Sequence, residues 1–366
     1  MKTPVLPSSP AVSLPASSLT KLAYQAVQWG RNSFSITHRT WSRQLRESLG
    51  LLSTHPIQPI TPEQIALIKQ RFDHLLNIDW ADAEAGLYPA SQLFDNAWDE
   101  FIRYYPQVWW DAPHTWQRMS QRQAHEFAPE LDLEGYPSYY LQNFHYQTDG
   151  YLGETSANLY DIQTELLFGG MTDAMRRRTI APLKQGLSKF SAVPQKQLRV
   201  LDVACGTGRT LRQLRGALPQ VSLHGMDLSP AYLRKANQGL SCLPGELPQL
   251  MQANAESLPY RDEYFHAVVC VFLFHELPAG VRQRVIEECF RVVRWGGTFV
   301  ICDSIQTSDS PELVPIMENF SASLHEPYYR HYMSDDLEAR LQTAGFTQVQ
   351  TQVHFMSKYW IAQKAG

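Results

Sequence analysis

The sequence predicts a doubly wound α/β fold: a seven-stranded sheet closed by an antiparallel carboxy-terminal hairpin and preceded by a mainly helical amino-terminal domain. Three observations carry this expectation. From Arg199 onward, short apolar runs alternate with amphipathic segments at the length of crossover units, which implies a parallel sheet with helices on both faces. The last two runs, Thr347 to Phe355 and Ser357 to Gln363, are joined with almost no loop and must pair antiparallel. Upstream, Leu19 to about Glu126 has helical periodicity, many Trp and Tyr residues and no strand alternation.

A chain of 366 residues can bury a large core, and usual domain sizes favour two domains over one. Apolar and charged fractions of 44% and 19% are those of a globular chain. With a net charge of −4, nucleic acid is not expected as the main partner. Five cysteines (Cys205, Cys242, Cys270, Cys289, Cys302) without Cys-x-x-Cys spacing read as buried free thiols in a reducing compartment, and no metal site is expected. The longest apolar run, Ala267 to Phe274, is too short to cross a bilayer. Met1 to Ser18 is rich in Pro and Ser without an apolar h-region, so it is read as a disordered tail and the protein as cytoplasmic.

The helical domain is expected over residues 19–133. Its helices are placed at Leu19 to Trp29, from a Thr61 cap with Pro62 in the first turn, at Ser91 to Tyr104 and at His114 to Phe127. The run Tyr104 to Trp110 is read as interhelical core, with an aromatic substrate wall as the alternative. Residues 134–155 contain EGYPSYYLQNFHYQTDGYLG, whose Gly and Pro breaks and polar-tipped aromatic side chains suit a lid or linker. A helix from Ser156 to Arg178 follows, ending in three arginines that suit a solvated helix terminus, with a phosphate site as the alternative.

The chemistry centres on Val200 to Gly208, VLDVACGTG, where a strand ends in two glycines and a helix follows over Thr210 to Leu218. Gly206 and Gly208 allow a sharp bend and a close approach to a ligand. Asp227, about twenty residues on at the end of the run Val221 to Met226, suits two ribose hydroxyls. Leu211 stands where the third glycine of the dinucleotide fingerprint would fall, which disfavours a pyrophosphate.

From Ser156 to the end (residues 156–366), these motifs and their order resemble a class I S-adenosylmethionine-dependent methyltransferase, in the UbiE/MenG-like branch, with a Rossmann-like sheet. VLDVACGTG resembles the first motif, Asp227-Leu228-Ser229 the ribose-binding strand end, and QANAESLPY from Gln252 the adenine-binding turn. FHAVVCVFLFHELP from Phe265, RVVRWGGTFVICDS from Arg291 and SANLYDIQTELLFGG from Ser156 complete the set. The resemblance implies S-adenosyl-L-methionine as cofactor. It further implies that Asp202, Gly206, Thr207 and Gly208 frame its methionine part, Asp227 takes the ribose, and Leu228, Asn254 and Ala255 address the adenine. Tyr160 would lie near the sulfonium, with Val271 and Phe272 ending strand four beside it. Two residues depart from the family pattern: His266 stands where Asp is usual, and Arg294-Trp295 where Lys-Pro is usual. Both lie at strand starts away from the ligand, so they bear on packing. The helical Leu19 to Glu126 stretch falls outside the resemblance.

Methyl transfer is an in-line displacement helped most by alignment and exclusion of water, and a base is needed only where the nucleophile must lose a proton. His275, Glu276 and His145 are the candidate bases, His275 first. The expected partner is a small aromatic or lipophilic acceptor methylated on carbon or oxygen. A protein acceptor docked on the helical domain is the alternative, and a non-catalytic S-adenosylmethionine-binding protein a further one.

Overall fold

A computed structural model describes residues 18–51, 57–95 and 98–366. The expected tail lies outside the described residues except for Ser18. Helix α1 (Ser18–Ser48) runs well past Trp29, and α2 (Pro62–Glu84) starts at a capping box in which Thr61 and Gln64 satisfy each other's backbone N–H. A 3₁₀ turn at Ala90–Phe94 and a single helix α3 (Trp98–Gln121) replace the two helices expected over Ser91 to Phe127. Pro106 and Pro113 lie inside α3. The helix continues across them, and Val108, flanked by Phe101, Tyr104 and Tyr105, packs in one apolar cluster with Leu159, Ile162 and Leu166. The aromatic run is thus interhelical, with Phe34 against Phe101 and His38 against Trp109, while Trp110 faces solvent.

Ser156 to Arg178 is two helices, α4 (Glu154–Leu167) and α5 (Thr172–Arg177). The break falls at Gly169 and Gly170, both at positive φ, where α1 crosses. A Cβ at Gly169 would stand 2.4 Å from Asn32 Oδ1. The arginines that follow are not a solvated terminus. Arg176 and Arg177 are buried, and Arg177 and Arg178 pair with Asp79 and Asp82 of α2. Helical periodicity alone cannot show this, because the partner carboxylates lie almost a hundred residues upstream.

After α6 (Ile180–Ser188) the alternation begins: β1 (Arg199–Val203), α7 (Arg209–Ala217), β2 (Ser222–Asp227), α8 (Pro230–Leu240), β3 (Gln249–Gln252), β4 (Phe265–Val271), α9 (Ala279–Val292) and β5 (Val293–Ser304). Helices α10 (Val314–Ser323), α11 (Tyr329–Tyr332) and α12 (Leu337–Thr343) precede β6 (Thr347–His354) and β7 (Ser357–Gln363). The seven strands are ordered β3-β2-β1-β4-β5-β7-β6, with β7 antiparallel to both neighbours. This is the expected doubly wound sheet and hairpin. Its switch point lies between β1 and β4, whose carboxyl ends open a crevice.

One apolar cluster joins the amino-terminal helices to the sheet, running from Tyr24, Phe72 and Leu75 through Met175 and Leu183 to Val200 and Val300. Four of the cysteines are buried and free; Cys242 is exposed. No helix among the described residues is long and apolar enough to cross a membrane.

Candidate functional site

The crevice is built first by the turn after β1. Gly206 and Gly208 sit at φ +53° and +81°. A Cβ at Gly208 would meet Ala236 at 3.0 Å, so this glycine lets α7 close on α8. A Cβ at Gly206 would find nothing nearer than Tyr232 at 3.9 Å, so that face of the turn is open to a ligand. Asp227, at the end of β2, accepts the Gly206 and Ser229 backbone N–H groups, each at 2.8 Å. Burial pushes its carboxyl up while these N–H groups pull it down.

Asp202 is the outlier of the site. It is 1% exposed, and neither carboxylate oxygen has a hydrogen-bond partner. Burial raises its pKa well above the usual range, and only the nearby Arg176 opposes this. A buried carboxyl group without a hydrogen-bond partner is an exception among folded proteins. Thr207 turns the other way and donates to Asp161 Oδ1 of α4 at 2.8 Å, tying the glycine turn to that helix.

One pocket is lined by Tyr160, Gly206, Asp227, Leu228, Asn254, Ala255, Val271, Phe272 and Glu276 together. Asp202, Thr207 and Gly208 stand behind it and shape the turn. Asn254 Oδ1 accepts the Glu256 N–H at 2.9 Å, which fixes the turn after β3. Segment 134–155 closes the pocket with Tyr139, Tyr140 and Tyr151, and is pinned where Tyr139 donates to Glu256 Oε1 at 2.6 Å. The Tyr140 hydroxyl is buried without a partner.

Tyr160, Phe272 and Glu276 also line a second, larger chamber of about 960 Å³, together with His145 and His275. Its walls come from α1, α2, α3 and α10 and are mostly apolar, with Trp29, Ile68, Phe72, Met119 and Phe320 among them. The segment before α2 bridges its rim to α10, where Gln58 and Asn319 exchange two hydrogen bonds of 2.8 Å.

The three base candidates meet where the two spaces join. His275 Nδ1 lies 2.6 Å from Asp303 Oδ1. Burial opposes the charged ring, but Asp303 prevails and lifts the imidazole to about 10, so the ring is a cation and a hydrogen-bond donor at neutral pH. Glu276 is raised to about 7, by burial first and then by Glu326, and accepts from the Tyr151 hydroxyl. His145 is turned inward by a backbone at φ +56° and lies against Glu326.

Reading the sequence missed Tyr140, Tyr151, Asp303, Glu326 and Arg176. The lid composition pointed toward the tyrosines as a group, and Asp303 stood at the end of a quoted motif. Glu326 had no sequence signal, since it lies in an irregular segment between α10 and α11.

A family profile described as a methyltransferase domain matches residues 200–297. The demethylmenaquinone methyltransferase of Thermotoga maritima is 28% identical over 177 residues, 48% of this chain and 67% of that protein. The ubiquinone/menaquinone biosynthesis C-methyltransferase UbiE of Methylobacterium nodulans is 28% identical over 166 residues, 45% of this chain and 62% of its own length. Among solved structures, human N-acetylserotonin methyltransferase in complex with S-adenosylmethionine superposes with a TM-score of 0.42 at 14% identity, covering 73% of this chain and 70% of that one. The profile and the two sequence relatives, together with a sheet of the expected order, make the carboxy-terminal half of this chain similar to S-adenosylmethionine-dependent methyltransferases of the UbiE type.

Proposed function

We propose that this protein methylates a small aromatic or lipophilic acceptor, on carbon or oxygen, inside the chamber between the amino-terminal helices and the carboxyl edge of the sheet. The observation that carries the reading is the junction of the two spaces. The pocket with the ribose-type carboxylate and the apolar chamber share Tyr160, Phe272 and Glu276. An acceptor enclosed there is aligned and kept from water, which is what a displacement at a charged methyl donor needs.

The residues present fit S-adenosylmethionine. Asp202 offers an unpaired buried carboxylate to an ammonium group, and the open face of Gly206 admits the chain beside it. Asp227 keeps lone pairs for ribose hydroxyls, and Leu228, Asn254 and Ala255 flank the position of a base. When bound, the cofactor supplies an electrophilic methyl group on a sulfonium. Tyr160 is the aromatic group that would face that cation. Tyr139, Tyr140 and Tyr151 exclude water above it.

On the acceptor side, His275 is held by Asp303 as a donor that would orient an acceptor oxygen. This favours orientation over proton abstraction for His275. Glu276 and His145 form the remaining polar surface toward which a phenolic proton would face.

The test is two-part. Calorimetry should show S-adenosylmethionine binding by wild type and its loss in Asp227→Ala. Cell extract treated with protein and methyl-labelled cofactor should then place label in the organic-soluble small-molecule fraction. Label appearing only in polypeptide would transfer the reading to a protein acceptor.

A further inference from the structure

At the junction of pocket and chamber, three side chains from separate segments converge: His145 in the 3₁₀ turn Phe144–Tyr146, Glu276 in the turn after β4, and Glu326 between α10 and α11. One donor atom from each lies within 4.8 Å of the other two. His145 Nε2 is in contact with Glu326 Oε1 and 4.0 Å from Glu276 Oε1. Donors that share one cation at about 2.1 Å stand roughly 3 to 3.5 Å apart, so side-chain shifts of about an ångström complete the set.

Glu326 points independently to a ligand. Its side chain is fully buried; Oε1 is in contact with His145 Nε2, and Oε2 has no hydrogen-bond partner. No lysine or arginine among the described residues pairs with it or with Glu276. His275 Nε2 lies 3.9 Å from Glu276 Oε1 and is itself paired with the buried Asp303, so three acidic side chains share two imidazoles and are short of positive charge, and a buried anion without full compensation is costly. A dication supplies that charge without changing the fold.

His145 is oriented as a ligand is. Gln147 sits 3.0 Å from its Nδ1 and is held in turn by the Ser156 hydroxyl at 2.7 Å. Ligation through Nε2 puts the ring proton on Nδ1. The Gln147 amide turned end for end then accepts that proton and donates to Ser156, so both hydrogen bonds survive. His145 and Glu276 line the chamber, so the open coordination positions face it.

We propose that His145, Glu276 and Glu326 bind a divalent first-row transition cation, whose open positions would take an oxygen of the acceptor. One nitrogen and two carboxylates suit such an ion better than the all-oxygen shells of magnesium or calcium. The site stands on its own geometry, and only the role toward the acceptor rests on the methyl-transfer reading.

The full chain, stripped with chelator and dialysed, is titrated with Co²⁺ or Zn²⁺ alone by calorimetry, and the Co²⁺ absorption spectrum is recorded. One high-affinity ion per chain is expected. Glu326→Gln and His145→Ala should each weaken binding at least about 10-fold and change the Co²⁺ spectrum, while calorimetric S-adenosylmethionine affinity stays within about twofold. Should either variant fail to fold, the rise in wild-type melting temperature on adding Co²⁺ provides the second measurement. No high-affinity ion in wild type, or equal affinity in folded variants, overturns the site. Metal binding without methyl transfer would leave the site standing and remove only the acceptor reading.

Discussion

Arg177 of α5 grips Asp79 of α2 through two parallel hydrogen bonds, Nε to Oδ1 at 2.8 Å and Nη2 to Oδ2 at 2.6 Å. Tyr24 of α1 and Tyr88 donate to the same carboxylate. A bidentate pair with further donors is the geometry in which a buried ion pair is fully compensated. It locks the amino-terminal helices, and with them one wall of the chamber, onto the helix that follows the pocket-lining α4. Arg177→Met should therefore strand a buried charge and lower unfolding free energy by about 3 to 5 kcal/mol in urea melts. Tyr88→Phe, which removes one neutral donor to the carboxylate, should cost less, about 1.5 to 3 kcal/mol.

The two glycines of the turn after β1 should separate binding from folding. Gly206→Ala adds a methyl group into open space, so it should fold with a loss of about 1 kcal/mol from its positive φ. It should nevertheless bind S-adenosylmethionine at least tenfold more weakly in calorimetry. Gly208→Ala meets Ala236 at 3.0 Å and Leu240 at 3.1 Å as well as a φ of +81°. Its melting temperature should fall further than that of Gly206→Ala.

Acid sensitivity should come from His224 and His266, both buried and held down to about 4. For each, burial is the largest cause; Arg199 adds to it at His224, and Arg294 then Arg199 at His266. His266 Nδ1 accepts the Arg199 N–H at 3.0 Å, and Arg294 lies 3.4 Å from its Nε2, so the two departures from the family pattern touch each other. The unfolded ring takes a proton below about 6.5 and the folded ring does not. Stability is then fully present above that pH and falls as pH drops toward 4, by up to about 1.4 kcal/mol per unit per histidine. Urea midpoints between pH 7.5 and 4.5 check this, and His224→Phe should flatten the slope.

Narrowing the chamber should harm acceptor use without touching the cofactor. Ile316 of α10 lines the chamber but not the pocket. Ile316→Trp should raise the KM for the acceptor by about tenfold or more, roughly 1.4 kcal/mol, while S-adenosylmethionine binding in calorimetry is unchanged.

The sheet, its hairpin and the cofactor side were legible because their signals are local. A buried strand, two glycines and an acidic strand end sit within a few residues of one another, and β3, β4 and β7 fall where periodicity puts them. Even the twenty-residue step from Gly206 to Asp227 is one crossover unit, so sequence spacing fixes spatial spacing. The residues around the chamber junction obey no such rule. Glu326, Asp303 and His145 are brought together by packing between segments far apart in the chain, and Arg177 finds its carboxylate in α2. The break at Gly169 and Gly170 and the unbroken course of α3 are likewise set by what crosses or covers them. By itself the sequence determined which residues meet in the pocket at the carboxyl edge of the sheet. Only the tertiary structure decided what walls the adjoining chamber, because a space enclosed by α1, α2, α3 and α10 exists only once long-range contacts have formed.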